Sequence, residues 1–335
     1  MGSYARGLRL SASNAKRSEL ASSMVATPAS AEDEDRRMRI LAIALMCATM
    51  VCFTGQDTCA KWLSASLPIA QIVWARYVGA SLIALVVSRP LSRPTMLRSR
   101  RPRLQLLRSV LLFASTTTNV FAVHQLQLSE TATISFLTPV FVALLAGPLL
   151  GEKVSAERMI AIALGFLGVV IATRPGAGAF QPIVLVAIAG VVCNSVYVLV
   201  TRKLAGADSP QTTVAWTQIA GIVFLTPILP WVWRQPQSAI DWLIMAAMGV
   251  FAATSHGMLI VAHRFAPAPI LTPFTYTQLI WMIISGVLVF GDWPAPATLV
   301  GAALVVGCGA HLALRERRGR QVGQALAAID AEPKV

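Results

Sequence analysis

Few side chains in this sequence can do chemistry, and those that can lie inside long apolar runs. Asp57 and Lys61 stand four residues apart near the end of the run 40–60, a spacing that puts both on one helix face. Arg76 lies within the next run, beside Tyr77 and two residues after Trp74. An ionisable group at the middle of a membrane span costs ~2.5–3.5 kcal/mol on insertion scales, so each needs a reason to be there. Asp57 either pairs with Lys61 or acts as a carboxylate that exchanges a proton or meets a cationic substrate group. Arg76 keeps its proton and must have an anion, carbonyl oxygens or water as partner. Asp57 is one such anion, and a substrate carboxylate or phosphate is another.

Uncharged polar groups follow the same logic. The run 105–124 carries Ser115, Thr116, Thr117, Thr118 and Asn119, and the run 241–262 carries Thr254, Ser255 and His256. Small hydroxyls mostly let helices approach, whereas Asn119 and His256 are costlier to bury and so better site residues. Asn194 and Tyr197, with Tyr276, offer stacking and hydrogen bonds to a planar or zwitterionic solute. Gln278 and Trp281 follow Tyr276 at i+2 and i+5, which do not share one face. The candidate substrate-binding set is Arg76, Tyr77, Trp74, Asn119, Asn194, Tyr197, Gln218, His256, Tyr276 and Gln278, with Asp57 for proton or ion coupling. No catalytic constellation is expected. There is no Gly-rich phosphate loop and no HExxH, and Ser195 has Asn194 beside it with no nearby His or Asp. The five cysteines, all in apolar runs, lack metal-ligand spacing and read as small apolar fillers. No metal and no cofactor are expected.

The elements that must hold these groups follow from composition. The 335 residues are 56% hydrophobic and 13% charged, against roughly 25% charged in soluble domains. Ten runs read as spans, at about 40–60, 69–88, 105–124, 131–150, 156–173, 182–201, 211–233, 241–262, 270–290 and 297–314. They are continuous rather than alternating, and each reads as long enough to cross ~30 Å of hydrocarbon as a helix. The net charge of +13 does not point to nucleic acid, because the basic residues sit in short segments between spans. With the N-terminus inside, 24 of the 28 Lys and Arg fall on the cytoplasmic side, the positive-inside pattern. The expected location is the bacterial inner (plasma) membrane, with both termini cytoplasmic. Residues 1–38, Ser- and Ala-rich before an acidic run, read as a disordered cytoplasmic tail without a cleavable signal. Residues 316–335 form a second cytoplasmic tail.

The chain also repeats itself. Pro68, Trp74 and Gly79 recur as Pro210, Trp216 and Gly221 at an offset of 142. Cys52 and Leu63 match Cys193 and Leu204 at 141, and Gly151-Glu152 matches Gly291-Asp292 at 140. Ala114, Thr116 and His124 match Ala253, Ser255 and His263 at 139. The same register places Gln218 opposite Arg76. A unit of five helices is odd, so the second copy is inverted, the arrangement of secondary transporters with a midplane site. The expected fold is therefore an all-α integral membrane protein of ten transmembrane helices in two inverted five-helix repeats, residues 39–175 and 181–315.

Particular stretches then resemble a known family. Pro139-Val140-Phe141-Val142-Ala143-Leu144-Leu145 followed by Gly151-Glu152 is similar to the EamA domain of the drug/metabolite transporter superfamily. So are Ala266-Pro267-Ala268, Pro273-Phe274-Thr275-Tyr276 and Phe290-Gly291-Asp292-Trp293-Pro294. The resemblance covers roughly residues 40–315, with Asp292 where the motif usually has Glu. It implies a carrier of amino acids, sugars, nucleotide derivatives or other small metabolites. The expected function is secondary transport by alternating access, with proton coupling and exchange both open as its mode. A passive facilitator or channel is the alternative. The partners are a small solute and the lipid bilayer, with monomer and homodimer both open.

Overall fold

The computed structural model describes residues 28–88, 98–150, 156–173, 182–204, 207–208, 210–311 and 314. The Gly151-Glu152-Lys153 turn, residues 1–27 and the C-terminal tail from 315 lie outside them. The described residues form helices and connecting turns, with no strand among them. In chain order these are α1 (Pro28–Leu63), α2 (Ile69–Ser88), α3 (Pro102–Gln125), α4 (Leu128–Ser135), α5 (Thr138–Leu150), α6 (Ala156–Thr173), α7 (Ile183–Leu204), α8 (Pro210–Leu225), the short α9 (Leu229–Val232), α10 (Ala239–Phe265), α11 (Ala268–Thr275) and α12 (Gln278–Ser285). A π-helical turn, Gly286–Phe290, prolongs α12, and α13 spans Pro296–His311.

Among the described residues, seven helical stretches are long and apolar enough to cross a membrane: Arg36–Leu63, Ile69–Val86, Pro102–Gln125, Leu128–Ala146, Ile183–Leu204, Ala239–Phe265 and Ile270–Phe290. Ala163–Thr173, Ala215–Leu225 and Pro296–His311 are shorter apolar helices. The chain is thus a multi-span membrane protein, helical throughout its described spans. Its surface agrees: Val86, Leu243 and Leu288 point outward while Gln71, Gln105, Arg108 and Asp57 are buried. Apolar side chains outside and hydrogen-bonded polar groups inside are what a hydrocarbon solvent demands.

Two stretches read as continuous spans are broken. The chain turns at Phe136–Leu137 between α4 and α5, and at Tyr276–Thr277 between α11 and α12. Thr138 at the first break and Thr277 at the second return their hydroxyls to backbone carbonyls, those of Ser135 and Phe274. Such groups take up the polar demand of an interrupted helix. α1 starts at Pro28, so the acidic run before Met38 joins a helix that composition alone assigns to the tail.

The helices interlock through defined pairs. α1 packs on α10, and α3 packs on α7. α2 meets α10, and α3 meets α8. α5 lies against α7, and α11 and α12 lie against α1. α2 also meets α8, and α4 meets α12. Close approaches need glycine. A Cβ on Gly249 would sit 2.7 Å from the Gly79 Cα where α10 crosses α2, and one on Gly168 would sit 2.8 Å from the Gly301 carbonyl between α6 and α13.

Both ends of the bundle carry polar ties. At one end Lys61 Nζ donates to Asp292 Oδ2 at 2.7 Å and to the Leu126 carbonyl at 3.0 Å. At another, Asp208 between α7 and α8 accepts from the Ser99 hydroxyl, the Arg100 N–H at 2.8 Å and Gln105 Nε2 at 2.9 Å. Partial burial pushes the Asp208 carboxyl up, but these hydrogen bonds and the Arg100 charge outweigh it and hold it below its usual range. A depressed folded pKa means the tie contributes above the unfolded carboxylate value of about 3.9 and is lost as pH falls below it. Proteolysis near Arg100 is therefore expected to accelerate below about pH 4, and Asp208→Asn is expected to remove that pH dependence.

Candidate functional site

α2, α3, α7, α8 and α10 enclose a cavity of about 160 Å³. Arg76 and Tyr77 enter from α2, Arg108 from α3, Tyr197 from α7, Thr217 and Gln218 from α8, and His256 from α10. Five of the residues singled out in the sequence, Arg76, Tyr77, Tyr197, Gln218 and His256, thus meet in one place. Ala80, Leu112, Ala252, Leu259 and Ile260 supply its apolar wall.

Arg108 is the residue the sequence reading misses. It follows the basic loop and reads there as one more membrane-flanking cation. In the fold it lies well inside α3 and is only 5% exposed. Its Nε donates to the Thr201 hydroxyl at 2.8 Å, one terminal nitrogen to the Thr213 carbonyl at 3.2 Å and to the Thr217 hydroxyl, and the other to the Tyr197 hydroxyl at 2.8 Å. The guanidinium also lies over the Tyr197 ring, 4.6 Å from its centre. A signal was present: Gln105, Arg108, Ser109, Thr116 and Asn119 recur at helical spacing, a polar stripe along α3.

Arg76 is held differently. It packs beside the Tyr77 ring at 5.9 Å. The sequence left open whether it pairs with Asp57. The carboxylate of Asp57 instead accepts from Asn119 Nδ2 at 2.9 Å, and the Arg76 charge acts on it from beyond ion-pair contact. Lys61 does not pair with Asp57 either. It reaches across the bundle to Asp292, because an i,i+4 pair is optional while an acceptor at the helix end is closer to water.

A second, smaller cavity of about 50 Å³ lies between α3, α4, α5 and α7. Asn119, Asn194, Ser115, Ser135 and Thr138 line it, and Asn194 Nδ2 donates to the Thr138 hydroxyl at 3.4 Å. Asn119 therefore connects this space to Asp57.

The remaining predicted residues fall outside both cavities. Trp74 donates its indole N–H to the Thr226 hydroxyl at 3.1 Å and packs edge-on against Trp233. Tyr276 stands edge-on to Phe136 and against Gly309. It does not join Asn194 and Tyr197, because the break at Tyr276–Thr277 turns it toward α4 and α13. Gln278 opens α12 and lines neither cavity.

These features define a class: a multi-span membrane protein whose buried polar groups surround an internal cavity. The comparisons give the family. The model of the EamA-like transporter family matches residues 40–174 and again residues 181–312. The chain belongs to the EamA-like transporter family, within the drug/metabolite transporter superfamily, and is a transporter rather than an enzyme. An S-adenosylmethionine uptake transporter of Rickettsia conorii is 22% identical over 258 residues, 77% of this chain and 87% of the relative. A riboflavin transporter of Vibrio cholerae serotype O1 is 28% identical, over 72% of this chain and 81% of the relative. One of Brucella anthropi is 27% identical, over 80% and 96%. A solved crystal structure shares the fold with a TM-score of 0.56 and 18% identity, covering 85% of this chain and 98% of that one.

Proposed function

We propose that this chain is a secondary carrier of a small polar metabolite, working by alternating access between two inverted five-helix repeats. One observation carries the reading: Arg76 and Gln218, equivalent by the sequence repeat, line one and the same cavity. Helix pairing supports it. Exchanging each helix for its counterpart five spans away turns the α1–α10 contact into the α7–α3 contact, and α2–α10 into α8–α3. Contacts α2–α8 and α6–α13 map onto themselves. A two-fold axis in the membrane plane gives that pattern. The family model matching twice is of a piece with it.

In this reading the Lys61–Asp292 tie and the Asp208 cluster are closures of opposite faces, broken in turn as the cavity opens to one side and then the other. The positive-inside count puts the Asp208 cluster and both termini in the cytoplasm of a bacterium. Relatives named as S-adenosylmethionine and riboflavin transporters make amino-acid-sized and nucleotide-derived metabolites the solutes to test first.

The test is uptake from a defined metabolite mixture into proteoliposomes, with contents read by mass spectrometry. One or a few solutes should accumulate with the protein and not in empty vesicles. A vesicle content identical to the empty control would overturn the proposal. Asp57, a carboxylate within α1 next to the cavity cation, is the proton-coupling residue of this reading. An imposed pH gradient should drive uptake in the wild type, and Asp57→Asn should lose that drive while retaining exchange. An uptake indifferent to the gradient in wild type rules proton coupling out.

A further inference from the structure

Counting the charges around the larger cavity gives an imbalance. Two guanidiniums, Arg76 and Arg108, face it, and none of its lining residues is Asp or Glu. Every acceptor that Arg108 engages is a neutral hydroxyl or carbonyl. The hydroxyls of Thr201 and Thr217 are themselves donated to the Tyr197 and Thr213 carbonyls. The Tyr197 hydroxyl accepts from Arg108 and so keeps its own proton for a guest. Arg76 makes no hydrogen bond and no ion pair within the described structure. The Arg76 charge acts on the Asp57 carboxylate, which lies outside the lining. With Asp57 ionised, two fixed positive charges against its one carboxylate leave an excess of one.

Building on the carrier reading, we infer that the cavity selects a monoanion: a carboxylate or other oxyanion bound by Arg76 and the Tyr197 hydroxyl in the field of Arg108, with an apolar body against Leu112, Leu259 and Ile260. An unpaired guanidinium in a low-dielectric space is stabilised by an anion far more than it would be in water. A cationic guest would meet repulsion from both arginines. Size narrows the class. The volume of about 160 Å³ is close to that of an apolar cavity of ~150 Å³ that admits benzene. A single ring or branched chain bearing one acidic group fits, and Tyr77 and Tyr197 give it aromatic faces.

Three probes of nearly one shape separate charge from size: benzoate, benzamide and benzylammonium. Binding is measured on the purified full-length chain in detergent by the dose dependence of thermal stabilisation. Charge-assisted hydrogen bonds are worth about 1.5–3 kcal/mol, so benzoate should bind at least ~10-fold tighter than benzamide. Benzylammonium should give no shift. Arg76→Gln should lower benzoate affinity at least ~10-fold, and Arg76→Lys should restore part of it. Equal shifts for all three probes, preference for benzylammonium, absence of a benzoate shift, or a benzoate shift untouched by Arg76→Gln would each overturn the inference. Metabolite uptake in the wild type tests the carrier reading separately, so a carrier that takes up a cation sinks this inference alone.

Discussion

Arg76→Gln is expected to cut solute uptake by at least ~30-fold while leaving the folded yield unchanged, whereas Arg108→Gln is expected to cost both. The two side chains carry the same charge in the same cavity and differ in what holds them. Arg76 has no hydrogen-bonding partner among the described residues and packs beside Tyr77. Its removal strands no acceptor, so folding is spared. A guest that relied on it loses a desolvated charged contact, worth about 2–5 kcal/mol. Arg108 joins α3 to α7 and α8 through Thr201, Tyr197, Thr213 and Thr217. Glutamine cannot span those four acceptors, and the buried groups left unsatisfied cost about 1–3 kcal/mol each at the upper bound. A loss of about 2–4 kcal/mol is expected from such a broken network. Size-exclusion yield and thermal melts in detergent read the folding side of this contrast, and proteoliposome uptake reads the other. Equal loss of folding in both variants would show that Arg76 is structural.

The second large effect is steric. Gly249→Leu is expected to remove most of the folded protein. The Gly79 and Gly249 backbones touch where α2 crosses α10, and a Cβ on either would approach the other's Cα to within 2.7–2.8 Å. No rotamer relieves a clash with backbone, so the helices must part. Ordinary overpacking costs about 1–3 kcal/mol when side chains can give way, and here they cannot. Parting α2 from α10 also opens the cavity wall that holds Arg76 and His256. Gly257→Ala, eight residues further along α10 with nothing within 4 Å of an added Cβ, is the matched control and should fold normally. A folded Gly249→Leu variant with wild-type melting would mean the crossing is not as close as the structure has it.

What the sequence made legible follows physical lines. Membrane character came from the scarcity of charge, and the relation of Arg76 to Gln218 came from an offset that needs no structure. Both are properties of local pattern. Arg108 escaped because a cation next to a basic loop satisfies the positive-inside rule as well as it satisfies a site; only the polar stripe of α3 distinguishes the two. The partners of Lys61 and Asp57 escaped for another reason. Asp292 is far from Lys61 in sequence and Asn119 far from Asp57, so the nearer i,i+4 pairing of Asp57 with Lys61 was the visible choice. Tyr276 and Trp74 were grouped with the site because aromatics in spans look alike in sequence. Helix breaks decide which way Tyr276 faces, and neither break is marked by a glycine.

The central claim is that one cavity serves both faces of the membrane in turn. Counterflow tests it most directly. Proteoliposomes preloaded with an unlabelled solute found to accumulate are given the same solute labelled outside. The account predicts that preloading accelerates labelled uptake and that Arg76→Gln abolishes the acceleration. Labelled uptake that is unaffected by preloading would contradict it, since that is how a passive pore behaves.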